Sequence, residues 1–416
     1  MKKRFLLSAA AAVCAATLSG CSLFSFLQNS EPRKNLLPQQ SLSAEELAVA
    51  YSGYGYSALN TLTEKRIYAA IDAAMQEPES REFATAAPDD INRVNDILEF
   101  YKADHPEVFW IDETEPYYYS VNDGTLTMRV HFKSEGEALL SAKERLENAL
   151  ADAAENAPDD SSEYERELYI HDYLIGHCEY DDEAVELHQQ TDSVRANEQN
   201  AYGAMVEGKA VCEGYARAFQ LLCDRLEVPC WVIQGQALGF EGEANVNHIW
   251  NCVRLDGEWY FVDVTWDDCD SRETIGAEQY FYFNLTTDEL LKDHVIAPNY
   301  SDYSDSGMWY NGFVPECDSV DYYYFYLNAK TIHDLDSDAL PAYLASAAAE
   351  NAEYCVFEVG PELDFDDTCD RVLEEYAYRW IGEANELNDY FPYIGDNCKM
   401  SSHEPRRLIT ILLSYE

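Results

Sequence analysis

One cysteine falls at the predicted start of a buried helix. Apolar residues recur at helical spacing from Val211 to Leu226, and the pattern stops before Pro229. Cys212 therefore lies in the first turn, where unpaired backbone N–H groups and the helix dipole favour a thiolate over a thiol. A thiolate is a nucleophile, so Cys212 is a candidate for covalent catalysis. The alternative is a core cysteine, which is how we interpret Cys223 on the same helix.

A histidine and an aspartate lie on two β-rich segments that a short turn connects. The Asp-Gly pair at 256–257 is typical of a hairpin with a two-residue turn. The register of that hairpin places His248 opposite Thr265 and Asp263 opposite Trp250. His248 and Asp263 are then diagonal neighbours on one face, about 7–8 Å apart at the backbone and within side-chain reach. An aspartate in this position can hold the tautomer and orientation of an imidazole.

Each of these residues alone has a structural explanation. His248 fits a hydrogen-bonded histidine on a half-buried sheet, and Asp263 fits a solvated carboxylate near a strand end. Their combination favours catalysis, because a thiol at a helix start and an independently placed His–Asp pair fit one mechanism.

The segments around the three residues resemble the core motifs of the transglutaminase-like superfamily. These motifs are Val211–Ala216 (VCEGYA), His248–Asn251 (HIWN) and Trp259–Trp266 (WYFVDVTW). The resemblance extends over about residues 165–290. It implies a papain-like α+β fold, in which a helix that carries the cysteine packs on an antiparallel sheet that carries the histidine and the aspartate.

The resemblance also implies a role for each site residue. Cys212 is the nucleophile, His248 the general base and acid, and Asp263 the orienting carboxylate. The backbone N–H of Cys212 would help to bind the oxyanion, and Tyr202 is a candidate second donor, with a packed tyrosine as the alternative. Water attacking the thioester would make the protein a cysteine peptidase or amidase, which we expect because no amine-acceptor site is evident. The alternatives are a cross-linking transglutaminase and a non-catalytic surface binding protein that retains the fold.

No cofactor or metal is expected at this site. The acidic segment at 267–270 is a weaker candidate for calcium, because it lacks the glycine and terminal glutamate of an EF-hand loop. His171 and His177, with Cys178, lack a fourth ligand and are expected to be structural. The 12 cysteines include no Cys-x-x-Cys pair, which argues against a zinc ribbon and leaves disulfide pairing open.

Composition excludes one class of partner. The 416 residues contain 78 acidic and 28 basic side chains, a net charge of −50 with histidine neutral. This charge repels phosphate backbones and anionic lipid head groups, so nucleic-acid binding is excluded. The 47% hydrophobic content argues against wholesale disorder. We expect peptide or protein substrates, with basic ones favoured, or cell-wall peptides.

The first residues have the pattern of a bacterial lipoprotein signal. Three basic residues at 2–4 precede an apolar segment, ending near Leu18, that is shorter than the ~20 residues of a membrane span. The next residues lead into Cys21 and resemble a lipobox, which implies lipidation of that cysteine. We expect residues 1–20 to be a signal peptide and the protein to be extracytoplasmic and lipid-anchored in the cell envelope. An ordinary secretory signal is the alternative.

The pattern of elements predicts three α+β domains behind a tether. The predicted segments are a tether (21–42), an N-terminal α+β domain (43–157), a transglutaminase-like domain (158–298), a linker (299–320) and a C-terminal α+β domain (321–416). Helices are predicted from Ser43 and over about 60–77, 88–103, 136–155, 338–351 and 367–382. Strands are predicted over 117–121, 125–132, 322–327, 354–359 and 408–413.

Overall fold

The computed structural model describes residues 42–415, apart from 192–196, 239–245, 269–275, 300–310, 389–391 and 396. Its α-helices are α1 (Ala44–Ala50), α2 (Tyr54–Ser57), α3 (Leu62–Met75), α4 (Arg93–Asp104), α5 (Gly136–Glu155), α6 (Glu163–His177), α7 (Asp182–Thr191), α8 (Cys212–Arg225), α9 (Val264–Asp267), α10 (Thr287–Leu290), α11 (Tyr324–Asn328), α12 (Ala339–Ala349), α13 (Phe365–Arg371) and α14 (Ala377–Leu387). Its strands are β1 (Glu82–Ala86), β2 (Tyr117–Asn122), β3 (Thr125–Val130), β4 (Glu179–Tyr180), β5 (Lys209–Ala210), β6 (Cys230–Ala237), β7 (Val246–Leu255), β8 (Glu258–Val262), β9 (His294–Ile296), β10 (Ala329–Ile332), β11 (Tyr354–Val359), β12 (Lys399–His403) and β13 (Leu408–Leu412).

The predicted signal segment and the lipidation residue Cys21 lie outside the described residues. Within the described part of the chain, no helix combines the length and the apolar character that a membrane span requires. The nine cysteines of this part are all free thiols.

The centre of the molecule is a four-stranded antiparallel sheet with α8 packed on one face. The strand order is β8-β7-β6-β9. Ala216 of α8 packs with Val232 and Ile249 of the sheet, and Asn251 Nδ2 donates a hydrogen bond to the Ala216 carbonyl oxygen (3.0 Å). This arrangement confirms the predicted α+β architecture, with the cysteine helix on the sheet that carries the histidine.

The hairpin of β7 and β8 has the predicted turn but ends earlier than predicted. Asp256 (φ 49°) and Gly257 (φ 95°) adopt left-handed conformations, as a two-residue hairpin turn requires. The register then holds only as far as the pair Asn251 and Val262. The predicted pairs of His248 with Thr265 and of Asp263 with Trp250 are therefore wrong.

The reason for the early end is a helix cap. Asp263 accepts a hydrogen bond from the backbone N–H of Trp266 (3.1 Å) and so caps α9, which begins at Val264. An aspartate oxygen that satisfies an unpaired N–H of the first turn stabilises a helix start. This local interaction replaces the three further strand residues that were predicted at 263–265.

The N-terminal part packs directly on α8. Its antiparallel sheet has the order β1-β3-β2, and one hydrophobic core continues from this part into the central sheet. Arg217 Nη1 donates to the carbonyl oxygen of Lys102 (2.6 Å), and Gln220 Nε2 donates to that of Ala103 (2.9 Å). The Lys102 ammonium also lies 3.8 Å from a carboxylate oxygen of Glu213, next to the candidate nucleophile.

The C-terminal part has a hydrophobic core of its own around a sheet of order β10-β11-β13-β12. One predicted element is wrong here, because residues 322–327 form no strand and the helix α11 begins at Tyr324. Tyr324 of this helix stacks on Tyr280 with the ring centroids 4.1 Å apart, and its hydroxyl lies 2.5 Å from that of Tyr354. Tertiary aromatic contacts thus override the β-propensity of a tyrosine run. The predicted domain boundaries stay predictions.

Candidate active site

The helix start places Cys212 as the sequence predicts. α8 begins at Cys212, whose side chain is partly exposed, whereas Cys223 is fully buried. A Cβ atom added at Gly214 would lie 2.6 Å from Ala210 Cβ and 2.7 Å from the Glu198 carbonyl oxygen. A glycine is therefore needed for the first turn of α8 to approach the chain before it.

His248 and Asp263 are in direct contact. His248 Nε2 lies 2.5 Å from Asp263 Oδ2, and the two residues are 4% and 1% exposed. The other carboxylate oxygen caps Trp266, and the backbone N–H of Asp263 donates to the Tyr282 carbonyl oxygen (3.0 Å). The carboxylate is thus held at several points and cannot rotate freely away from the imidazole.

The thiol of Cys212 interacts with the same imidazole. Burial alone would lower the pKa of His248, but the charge of Asp263 and hydrogen bonds to Asp263 and Cys212 raise it to about 10. Burial likewise opposes the ionisation of Asp263, yet the charge and hydrogen bond of His248 hold the pKa of that carboxyl well below its usual range. Because Nε2 faces Asp263, Nδ1 is the ring nitrogen that is left for Cys212. The structure thus brings His248 and Asp263 into contact, and Cys212 affects the same imidazole, while the roles of the three residues stay predictions.

Tyr202 is engaged elsewhere. Its side chain is buried, its ring centroid lies 4.6 Å from that of Phe109, and the Arg145 guanidinium lies 5.3 Å from its ring. These are the contacts of a packed tyrosine, which is the alternative interpretation of this residue. Its role as an oxyanion donor stays a prediction.

Tyr180 is a neighbour of the site to which we assigned no role from the sequence. Burial, followed by the charges of Cys212, Asp182 and Asp263, raises the pKa of Tyr180. The phenol thus keeps its proton near the thiol.

Sequence reasoning missed His294 completely. The Nε2 atom of His294 lies 3.1 Å from Asp263 Oδ2, the same oxygen that contacts His248. His294 opens β9, a three-residue strand that pairs with β6 far away in sequence. No spacing or motif around 293–296 points to this pairing, so the contact could not be found from the sequence.

Ligand atoms of His248, Asp263 and His294 lie within 4.8 Å of one another, a spacing that could suggest a metal site. The distances fit hydrogen bonds better. Two ligands of a tetrahedral zinc ion, each about 2.0–2.1 Å from the metal, are about 3.3 Å apart. The 2.5 Å contact of His248 Nε2 with Asp263 is much shorter than that, and it leaves no room for an ion between them.

A second buried histidine–aspartate pair lies at the acidic segment that we considered for calcium. His171 Nε2 is 3.1 Å from Asp267 Oδ2, and the other oxygen of Asp267 accepts from the backbone N–H of Tyr282 (2.8 Å). Asp268 accepts a hydrogen bond from the Tyr215 hydroxyl. Both carboxylates are therefore engaged with the protein, while the rest of the segment, at 269–270, lies outside the described residues.

Comparisons with known proteins locate the family match in this part of the chain. Residues 149–264 match the sequence model of the transglutaminase-like superfamily. Kyphoscoliosis peptidase of Mus musculus is 28% identical over 192 residues, which cover 42% of this chain and 27% of that protein. The Homo sapiens protein of the same name is 28% identical over 171 residues, covering 37% and 24%. The match therefore spans about a quarter of the length of these curated relatives.

A solved crystal structure of a TGase aligns with 45% of this chain and 51% of its own, at 17% identity and a TM-score of 0.27. Cys212, His248 and Asp263 all fall inside the segment that the family model matches, whereas His294 falls outside it. Within residues 149–264, the chain carries a domain of the transglutaminase-like superfamily.

Proposed function

We propose that the protein is a cysteine-dependent acyl-transfer enzyme that acts as a peptidase or amidase. The observation that carries the proposal is the contact of the His248 imidazole with the Asp263 carboxylate at 2.5 Å, together with the influence of the Cys212 thiol, which helps to raise the pKa of the same imidazole. A thiol at a helix start, an imidazole and an orienting carboxylate are the groups that nucleophilic acyl transfer requires. The partial exposure of Cys212 supports access of a substrate.

The chemistry follows from this arrangement. The Cys212 sulfur attacks a peptide or carboxamide carbonyl carbon, and the carbonyl electron pair moves to oxygen, where the backbone N–H of Cys212 can stabilise it. The His248 imidazolium gives its proton to the leaving nitrogen, so that an amine departs and a thioester forms. His248 then removes a proton from water, whose oxygen attacks the thioester and releases the acid and the thiolate.

Hydrolysis is preferred to amine transfer because the two curated relatives are named peptidases. An amine in place of water would instead make a cross-linking transglutaminase. Incubation with a labelled primary amine and a glutamine peptide separates the two, since only the cross-linker incorporates the label. The net charge of −50 favours basic peptides by long-range attraction, and cell-wall peptides are the alternative substrates.

The test of the proposal is the reactivity of one thiol. We expect iodoacetamide near pH 6 to label Cys212 about 100-fold faster than Cys398, a partly exposed thiol in the C-terminal part, because an ordinary thiol is almost entirely protonated there. The His248→Ala variant should lose this advantage, since it lacks the cation that favours the thiolate. Equal labelling of Cys212 and Cys398 in the wild-type protein, read by peptide mass spectrometry, would refute the proposal.

The location of the enzyme is a separate proposal that rests on the first 21 residues. We propose that it is exported and anchored by a lipid on Cys21, as the lipobox-like sequence suggests. The full-length protein expressed in a bacterium should partition into the detergent phase of a Triton X-114 extract, and the Cys21→Ala variant should move to the aqueous phase. Identical partitioning of the two proteins would contradict a lipid anchor.

A further inference from the structure

A chain of buried polar contacts leads away from Asp263 on the side of His294. His294 Nδ1 lies 2.7 Å from Asp293 Oδ1, and its Nε2 lies 3.1 Å from Asp263 Oδ2. The other oxygen of Asp293 accepts from the Tyr282 hydroxyl (2.9 Å) and from Arg406 Nη1 (3.2 Å). All of these residues are buried, and Asp293 is the most exposed of them, at 9%.

The far end of this chain belongs to the C-terminal part. Arg406 lies in the turn between β12 and β13, outside the segment that the family model matches. Its guanidinium is 4.3 Å from the centre of the Tyr282 ring, and its side chain has no exposed surface. A guanidinium is buried at such a cost only with a charged partner, and Asp293 is that partner.

Both ring nitrogens of His294 contact a carboxylate oxygen, Nδ1 that of Asp293 and Nε2 that of Asp263. Burial opposes the ionisation of both carboxyls. Even so, the charges and hydrogen bonds of the neighbouring histidines hold the pKa of Asp263 well below its usual range, and the hydrogen bond of His294 and the charge of Arg406 lower the pKa of Asp293. His294 therefore bridges two carboxylates.

We propose that His294 is a positioning residue that holds the Asp263 carboxylate in place for His248. Asp293 and Arg406 orient His294 in turn, so the C-terminal part of the chain takes part in the catalytic centre. This inference rests on the proposed function of Cys212.

The contacts of His294 explain what it contributes. Asp263 Oδ2 is the oxygen that faces His248 Nε2 at 2.5 Å, and His294 Nε2 lies 3.1 Å from the same oxygen. Asp293, which itself accepts a hydrogen bond from Arg406, holds the other ring nitrogen of His294. Without His294, the Asp263 carboxylate would be freer to turn away from His248, the group that favours a thiolate at Cys212.

The first test uses iodoacetamide labelling of Cys212 as a probe that needs no substrate. In His294→Gln, which can still donate one hydrogen bond to Asp263, we expect labelling about ten-fold slower than wild type near pH 6. Near pH 9 the two labelling rates should be close, because the pH profile of labelling moves up by about one pH unit. Arg406→Gln should shift the profile in the same direction by less, and Arg406→Lys should restore it. A His294→Gln profile that superimposes on the wild-type profile would overturn the inference.

Arg407 provides the matched control for Arg406. It is the adjacent residue, and it donates only to backbone carbonyl oxygens of the C-terminal part, those of Val359, Gly360 and Leu363. Arg407→Gln should leave the labelling profile unchanged. An equal shift in Arg407→Gln and Arg406→Gln would mean that general damage to the C-terminal part explains both, which contradicts a specific role for Arg406.

A second measurement needs no variant and no active thiol. In the wild-type protein labelled with ¹⁵N at histidine, the chemical shifts of both ring nitrogens of His294 should show hydrogen bonds to carboxylates. A ring nitrogen of His294 without a hydrogen bond would overturn the inference even if Cys212 is reactive. Conversely, labelling of wild-type Cys212 no faster than Cys398 would refute the proposed function, while the ¹⁵N spectrum would still decide whether His294 makes its two contacts.

Discussion

Replacement of Cys212 by alanine should abolish turnover, with a loss on the order of 10⁵–10⁶-fold in kcat. In the proposed mechanism, the Cys212 thiolate forms the covalent intermediate. A water molecule in the place of the sulfur would be a much weaker nucleophile. The measurement is a mass-spectrometric screen of peptides, with basic peptides and peptidoglycan fragments included, against wild type and Cys212→Ala. Products that appear only with the wild type identify the substrate class.

Cys223→Ala is the matched control for this experiment. Cys223 lies on the same helix but is fully buried, and burial raises the pKa of its thiol well above the ordinary value. The variant should lose some thermal stability and keep its kcat within about two-fold, because no reacting group is removed. Turnover by Cys212→Ala within ten-fold of the wild type would show that another group is the nucleophile.

Replacement of Asp263 by asparagine should lower kcat by about 10⁴-fold with little change in KM. The asparagine amide can turn its NH2 group, instead of an oxygen, toward the His248 nitrogen. It also lacks the negative charge that stabilises the His248 imidazolium during acyl transfer. The effect is on the transition state, so kcat falls while substrate binding persists. Steady-state kinetics on a substrate from the screen measures both parameters.

Asp267→Asn distinguishes this loss from a general effect of removing a buried charge. Asp267 is also buried and also paired with a histidine, His171, but the described residues place no thiol beside that pair. Asp267→Asn should lower the melting temperature, while kcat stays close to the wild-type value. A similar fall of kcat in both variants would argue that Asp263 acts through the stability of the fold and not through His248.

The sequence was sufficient for the part of the site that local patterns determine. The helical apolar repeat fixed the start of α8 at Cys212, and the Asp-Gly turn fixed the register of β7 and β8. The predicted proximity of His248 and Asp263 is observed, although the strand pairs from which it was predicted do not form, because Asp263 lies one residue beyond β8. Its capping of Trp266 competes with strand pairing, and a pattern of alternation does not reveal such a competition.

Long-range contacts determine the rest, and these left no local signal. His294 reaches Asp263 because β9 pairs with β6, and Arg406 reaches Asp293 because a turn of the C-terminal part packs there. The tyrosine run at 322–324 likewise has strand propensity. However, α11 begins at Tyr324, which contacts Tyr280 and Tyr354. Propensity is a weak guide where distant side chains supply the packing.

The docking of the N-terminal part on α8 bears on how this protein can be dissected. Arg217 and Gln220 of α8 depend on backbone oxygens of Lys102 and Ala103, far upstream of the family match at 149–264. A fragment limited to that match would keep Cys212, His248 and Asp263, but it would lose the backbone oxygens that anchor Arg217 and Gln220 and would expose that side of α8 to water. The part of the chain that supports α8 is therefore longer than the part that the family model matches.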